Sequence, residues 1–120
     1  MTIIIARTPL RVSFFGGGTD YDKWLTHHGS NIISTSINKY ISVISMYHPE
    51  YYGNQLSRII YKKIENVKSF SQIEHPVVKA TLKYLKFNKN RGIEFYYNGD
   101  LPSKSGLGSS SAFAVSCLNS

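Results

Sequence analysis

"PSKSGLGSSSAF", residues 102–113, sets two glycines and a run of serines directly before an apolar helical pattern. The stretch lacks the bulk for a core and the charge for a solvated surface. It offers free backbone N–H groups at the positive end of a helix, which is what an anion needs. Gly106 and Gly108 allow positive φ and a close approach of backbone to ligand. Successive N–H groups in such a turn form an anion-binding nest. Ser109, Ser110 and Ser111 add hydroxyl donors, and a hydroxyl can also ligate Mg2+ held between phosphates. Lys104 supplies a mobile positive charge. Two common phosphate templates do not fit. A Walker A loop needs glycine immediately before its lysine, where Ser103 stands, and a dinucleotide fingerprint starting at Gly106 needs glycine at Ser111. The plainer reading is a flexible turn with a serine-rich helix cap.

Working outward, Ile93, Phe95 and Tyr97 alternate against Glu94, Tyr96 and Asn98, a half-buried strand closed by Asp100-Leu101-Pro102. Asp100 is expected to cap that turn. His75-Pro76 opens a helix with an apolar stripe of Val77, Val78, Leu82 and Leu85, broken over 88–92. Residues 58–62 read as a strand leading into a polar connection at 65–71, and 48–57 as a loop. Residues 31–36 and 40–47 read as two strands linked by Ile37-Asn38-Lys39. At the start, 3–5 and 10–15 are short β-rich runs broken by Arg7-Thr8-Pro9. This order predicts an α+β fold: one mixed or antiparallel sheet covered by helices.

A second glycine stretch, "RTPLRVSFFGGGTDY", spans residues 7–21. Arg11 lies mid-strand and needs a partner or water if buried. Gly16, Gly17 and Gly18 permit close ligand approach at the strand end. Thr19 or Asp20 suits the N-cap of a short helix through Trp24 and Leu25, stopped by Gly29. Thr19 and Asp20 can also hydrogen-bond hydroxyls, and Arg11 can pair with phosphate.

The chain has 120 residues, a one-domain length, with 42% hydrophobic and 18% charged residues, so it reads as globular. Its net charge of +7 suits phosphorylated ligands, polyanions or acidic membranes alike. The densest positive group is Lys79, Lys83, Lys86, Lys89 and Arg91, of which the first three fit one solvated helix face. Nine tyrosines and six phenylalanines fall mostly in strand patterns, without the aromatic-plus-Arg clusters that stack single-stranded nucleic acid. The lone cysteine, Cys117, excludes an internal disulfide and a thiolate metal cluster, and points to a reducing compartment. The first apolar run is too short for a signal sequence or a membrane span, so a soluble, cytoplasmic protein is expected. His27-His28 reads as a solvated helix end, His48 as a loop residue, and no Ser-His-Asp set is suggested by spacing.

Together the two glycine stretches resemble a family. "PSKSGLGSSSA" is similar to the phosphate loop of the GHMP kinases, and "TPLRVSFFGGGTDY" to their N-terminal motif. Gly-Gly-Gly before Thr-Asp-Tyr, with "STSINKYISV" and "IEHPVVKATLKYL", resembles the branch that phosphorylates D-glycero-D-manno-heptose 7-phosphate. The likeness runs over residues 3–117.

The resemblance implies an N-terminal GHMP kinase domain like the second domain of ribosomal protein S5. It implies an ATP-dependent sugar kinase with ATP and Mg2+ as cofactors and a sugar phosphate as partner. Pro102, Lys104, Ser105, Gly106, Leu107, Gly108, Ser109, Ser110 and Ser111 would hold the ATP phosphates, with Ser110 on Mg2+. Arg11 would stabilise the transferring phosphoryl group. Gly16, Gly17, Gly18, Thr19, Asp20 and Tyr21 would line the sugar side. Galactokinases carry Glu and His where Gly17 and Gly18 stand, which argues against galactose and leaves room for a larger, phosphorylated sugar. Many relatives place an acidic base downstream of the phosphate loop, and none follows Asp100 here. With the apolar pattern of the last helix unfinished at Ser120, the expectation is a fragment without the family's C-terminal domain, inactive alone and inclined to form homo-oligomers. The alternatives are another small-molecule GHMP kinase, or a non-catalytic nucleotide- or RNA-binding module of S5-like fold.

Overall fold

The structure is a computed structural model that describes residues 2–47, 57–88, 91–102 and 104–120. His48, residues 48–56 of the loop expected over 48–57, Lys89 and Ser103 lie outside the described residues, whereas Ser57, the last residue of that expected loop, is the first residue of a strand. Five strands, β1 (Ile3–Phe15), β2 (Ile33–Tyr47), β3 (Ser57–Ile60), β4 (Ile64–Val67) and β5 (Ile93–Gly99), form one mixed sheet in the order β1-β2-β5-β3-β4. Among the described residues only the β3–β5 pair is parallel. Helices α1 (Asp22–His28), α2 (Pro76–Tyr84) and α3 (Ser109–Asn119) complete the α+β plan.

Arg7-Thr8-Pro9 does not break the first strand. Arg7, Thr8 and Pro9 pair with Ser42, Ile41 and Tyr40, so β1 runs unbroken over thirteen residues. β1 is an edge strand, and an edge tolerates the missing N–H of Pro9. Nor do Ile37, Asn38 and Lys39 divide β2. Pro9 faces Tyr40 and Arg11 faces Ser36, so these three residues bulge opposite Leu10 within one long strand. The expected polar connection at 65–71 is also corrected: β4 forms a tight hairpin with β3, and Glu65 is buried.

Strand residues of one face, Leu10, Ile41, Val43, Ile59 and Phe95, join Val78 and Leu82 of α2 with Phe113 and Cys117 of α3 in the core. Pro76 occupies the first turn of α2, as expected, but Leu85 falls past the helix end and is 47% exposed. Lys86 also lies beyond α2, so the three lysines do not share one helix face. Ser116, fully buried in α3, donates to Thr8 Oγ1 at 2.7 Å and ties the helix to β1. Burial pushes the Cys117 thiol up to about 12, which makes it a packed, inert residue.

Candidate active site

The two glycine stretches meet. Arg11, midway along β1, donates its backbone N–H to the Leu107 carbonyl at 3.1 Å. This bond fastens the loop before α3 to the strand. Gly106 and Gly108 both adopt positive φ, +74° and +70°, where an L side chain is strained. Lys104 takes φ +68°, uncommon for a residue with a Cβ.

Gly108 caps α3 with left-handed backbone and no side-chain hydrogen bond. The serine-rich cap of the plainer sequence reading is therefore absent. The first N–H groups of a helix have no partner within it. Here they open beside Ser109, half-buried, and Ser110 and Ser111, both exposed. A Cβ built on Gly106 would meet nothing within 4 Å, so the space beside this glycine is open.

The Arg11 side chain runs over Gly108. A Cβ there would stand 3.1 Å from both Arg11 Cγ and Nε. Its guanidinium continues to Asp20, with Nη2 and Oδ2 3.7 Å apart and both side chains 40% exposed. An ion pair so open to solvent contributes little stability. It does place one positive and one negative group where the two loops converge.

Asp20 is not the cap of α1. The cap position is Tyr21, without a side-chain hydrogen bond, and Gly29 ends the helix as expected. Thr19 instead locks the glycine turn: its hydroxyl donates to the Gly16 carbonyl at 2.7 Å and meets Ser30 Oγ at 2.8 Å. With Thr19 committed to the turn, Asp20 is left facing Arg11. Gly17 and Gly18 are exposed, and a Cβ on Gly18 would meet nothing within 4 Å.

Asp100 serves the fold, as its position suggested. Its carboxylate accepts the Tyr40 N–H at 2.9 Å, while its own N–H donates to the Tyr40 carbonyl. His28 rests on Trp24 with ring centroids 4.4 Å apart, at an exposed helix end.

Sequence reasoning missed the support beneath α3. Half-buried His75 packs against Phe113, with centroids 5.0 Å apart, and against the edge of Tyr61. Its Nδ1 is buried without a hydrogen-bond partner among the described residues. Burial holds the His75 pKa below its ordinary value. Buried Glu65 accepts from Tyr61 O–H at 2.6 Å and from the Glu74 N–H at 2.7 Å. Burial raises the Glu65 pKa, but these donors, with Lys63 and His75, outweigh it and leave the carboxyl below its ordinary value. The hydrogen bond to Glu65 lifts the Tyr61 phenol to about 12. The faint signal was Ile64 and Val67 on either side of Glu65 and Asn66 in an otherwise lysine-rich stretch.

Among the described residues no group of three or more His, Cys, Asp or Glu could hold a metal ion. No helix of the described residues is long and apolar enough to cross a membrane.

Residues 75–120 match the family model of the GHMP kinases N terminal domain. No curated protein matches the chain. Solved structures do. A D-glycero-D-manno-heptose 1-phosphate kinase from Bacteriodes thetaiotaomicron is 22% identical with a TM-score of 0.78, over 98% of this chain and 40% of that one. A mevalonate kinase from Methanococcus jannaschii is 18% identical with a TM-score of 0.70, over 98% of this chain and 38% of that one. A galactokinase from Lactococcus lactis, complexed with galactose, is 17% identical with a TM-score of 0.66, over 96% and 31%. The chain thus spans 40% or less of each of these structures, and at such identities the likeness is one of fold.

Proposed function

We propose that this chain, whose residues 75–120 match the family model of the GHMP kinases N terminal domain and whose fold resembles that of solved kinases, forms the nucleotide-binding part of an ATP-dependent kinase. The acceptor is a hydroxyl of a phosphorylated sugar, D-glycero-D-manno-heptose 7-phosphate, and the protein works in the cytoplasm. The observation that carries this reading is the uncapped start of α3 behind two left-handed glycines, with Arg11 laid across Gly108.

When bound, Mg-ATP supplies the transferable phosphoryl group and the metal's charge. The residues of this chain bind and orient it. The N–H groups of residues 106–110 would hold its phosphates, Ser110 Oγ would ligate Mg2+, and Lys104 would add a positive charge at the rim. Arg11 stands between the loops, where negative charge develops on the group in transit. Asp20, 3.7 Å from that guanidinium, accepts a sugar hydroxyl and keeps the acceptor beside it. Phosphoryl transfer asks mainly for such positioning and charge neutralisation. The open space at Gly18 and the net charge of +7 favour a bulky, anionic acceptor over a small neutral one.

Calorimetric titration with Mg-ADP tests this. Wild type is expected to bind, and Ser110→Ala to bind about tenfold more weakly, because the variant lacks the hydroxyl oxygen proposed to ligate Mg2+. A folded wild-type chain that takes up no Mg-ADP would overturn the assignment of residues 102–111.

A further inference from the structure

The loop at 102–108 leads directly into α3, so whatever fixes α3 on the sheet also fixes the loop. Two tethers join this unit to β1. Leu107 accepts the Arg11 N–H at 3.1 Å, and Ser116 Oγ donates to Thr8 Oγ1 at 2.7 Å. The spans between the tethers agree. The strand from Thr8 to Arg11 covers about 10 Å, and the helix from Ser109 to Ser116 also covers about 10 Å. α3 therefore lies along β1 in the opposite chain direction, pinned near both ends of the shared stretch. Either tether alone would leave the helix free to pivot.

Packing does not ask for the tether at Ser116. The residue is fully buried, and Ala112, one turn earlier, is buried too, so alanine would suit the same apolar surroundings. A buried hydroxyl is unfavourable unless it is bonded. Here it reaches two strands, Thr8 on β1 and, at 3.3 Å, the Ile41 carbonyl on β2. Apolar contacts carry no direction, whereas this bond does. A slip of one residue would turn α3 by about 100° and shift it by about 1.5 Å, which takes Ser116 off Thr8. A misplacement of about 1 Å can lower a reaction rate on the order of 100-fold. We propose that Thr8 and Ser116 are positioning residues for the loop: their hydroxyl pair holds α3 at the one register on β1 in which Leu107 meets Arg11 and the Arg11 side chain lies over Gly108. The consequence for nucleotide rests on the kinase reading; the consequence for the loop does not.

Three variants test this. Thr8→Val keeps the shape and removes the acceptor, while Thr8→Ser keeps the hydroxyl. Val67→Ala lowers stability from β4, at the opposite edge of the sheet. Amide exchange of the ligand-free chain follows the loop. Thr8→Val should speed exchange at Arg11 about fivefold more than at Ile59 in β3, the effect of one lost hydrogen bond on a local opening. Thr8→Ser and Val67→Ala should leave that ratio as in wild type. Calorimetric titration follows the site: Thr8→Val should bind Mg-ADP about fivefold more weakly, and the other two like wild type. Exchange at Arg11 that merely follows Ile59 in Thr8→Val overturns the proposal. So does the Thr8→Val behaviour appearing in Thr8→Ser or Val67→Ala, or an unchanged affinity in Thr8→Val when wild type binds. A wild type that takes up no Mg-ADP removes the kinase reading alone, and exchange at Arg11 then decides.

Discussion

The two glycine turns look alike in sequence and differ in what surrounds them. In the first, Gly16 is enclosed: a Cβ there would stand 1.9 Å from the Asn31 carbonyl oxygen, at φ +79°. In the second, Gly106 has nearly the same φ but nothing within 4 Å of where its Cβ would be. The first turn needs glycine because main chain crosses main chain. The second keeps glycine at a cost in backbone entropy, next to unpartnered helix N–H groups. A glycine that the protein itself does not crowd is one that leaves space for something else to approach. The comparison separates a turn that builds the fold from a turn that the fold presents.

The widest test of that contrast is Gly16→Ala. Both strain and a backbone collision follow, so unfolding should become easier by about 3 kcal/mol or more, read by chemical denaturation. Equal stability in variant and wild type would break the comparison at its first term. Gly106→Ala should cost only the left-handed strain, about 1 kcal/mol, yet weaken Mg-ADP in titration by at least tenfold through the space its methyl takes. If affinity and stability fell together by the same amount, the second turn would also be structural.

Acid should loosen the second turn ahead of the first. His75 beneath Phe113 has a folded pKa below its ordinary 6.5, so the unfolded chain binds more protons in the interval between. Stability is therefore complete above about pH 6.5 and declines as pH falls through the lowered value. Glu65, also lowered, adds a further loss below the ordinary carboxylate range. The melting temperature should drop from pH 7.5 to 5.5, and His75→Gln should flatten that drop. The smallest effect belongs to Gly18→Ala. With open space around it and ordinary φ, its stability should stay within about 0.5 kcal/mol of wild type.

What was legible in the sequence rests on local rules. Pro76 opens α2, Gly29 ends α1, residues 93–97 alternate in and out, and the glycines before Ser109 start α3, because each choice depends on the dihedral limits or spacing of neighbouring residues. Gly106 and Gly108 advertised their left-handed turn for the same reason.

Tertiary structure decided the rest, through partners far along the chain. Arg7-Thr8-Pro9 looked like a break, yet Ser42, Ile41 and Tyr40, 31 to 35 residues further along the chain, hold it in one strand. Glu65 looked like loop polarity until Tyr61 and the Glu74 N–H satisfied it inside the fold. Arg11 could be nominated as a functional residue from its neighbours, but only the packed sheet and α3 set it across Gly108 and toward Asp20. Local sequence determines which backbone shapes are affordable. Which surfaces then face one another depends on contacts whose energies exist only once the chain has closed on itself.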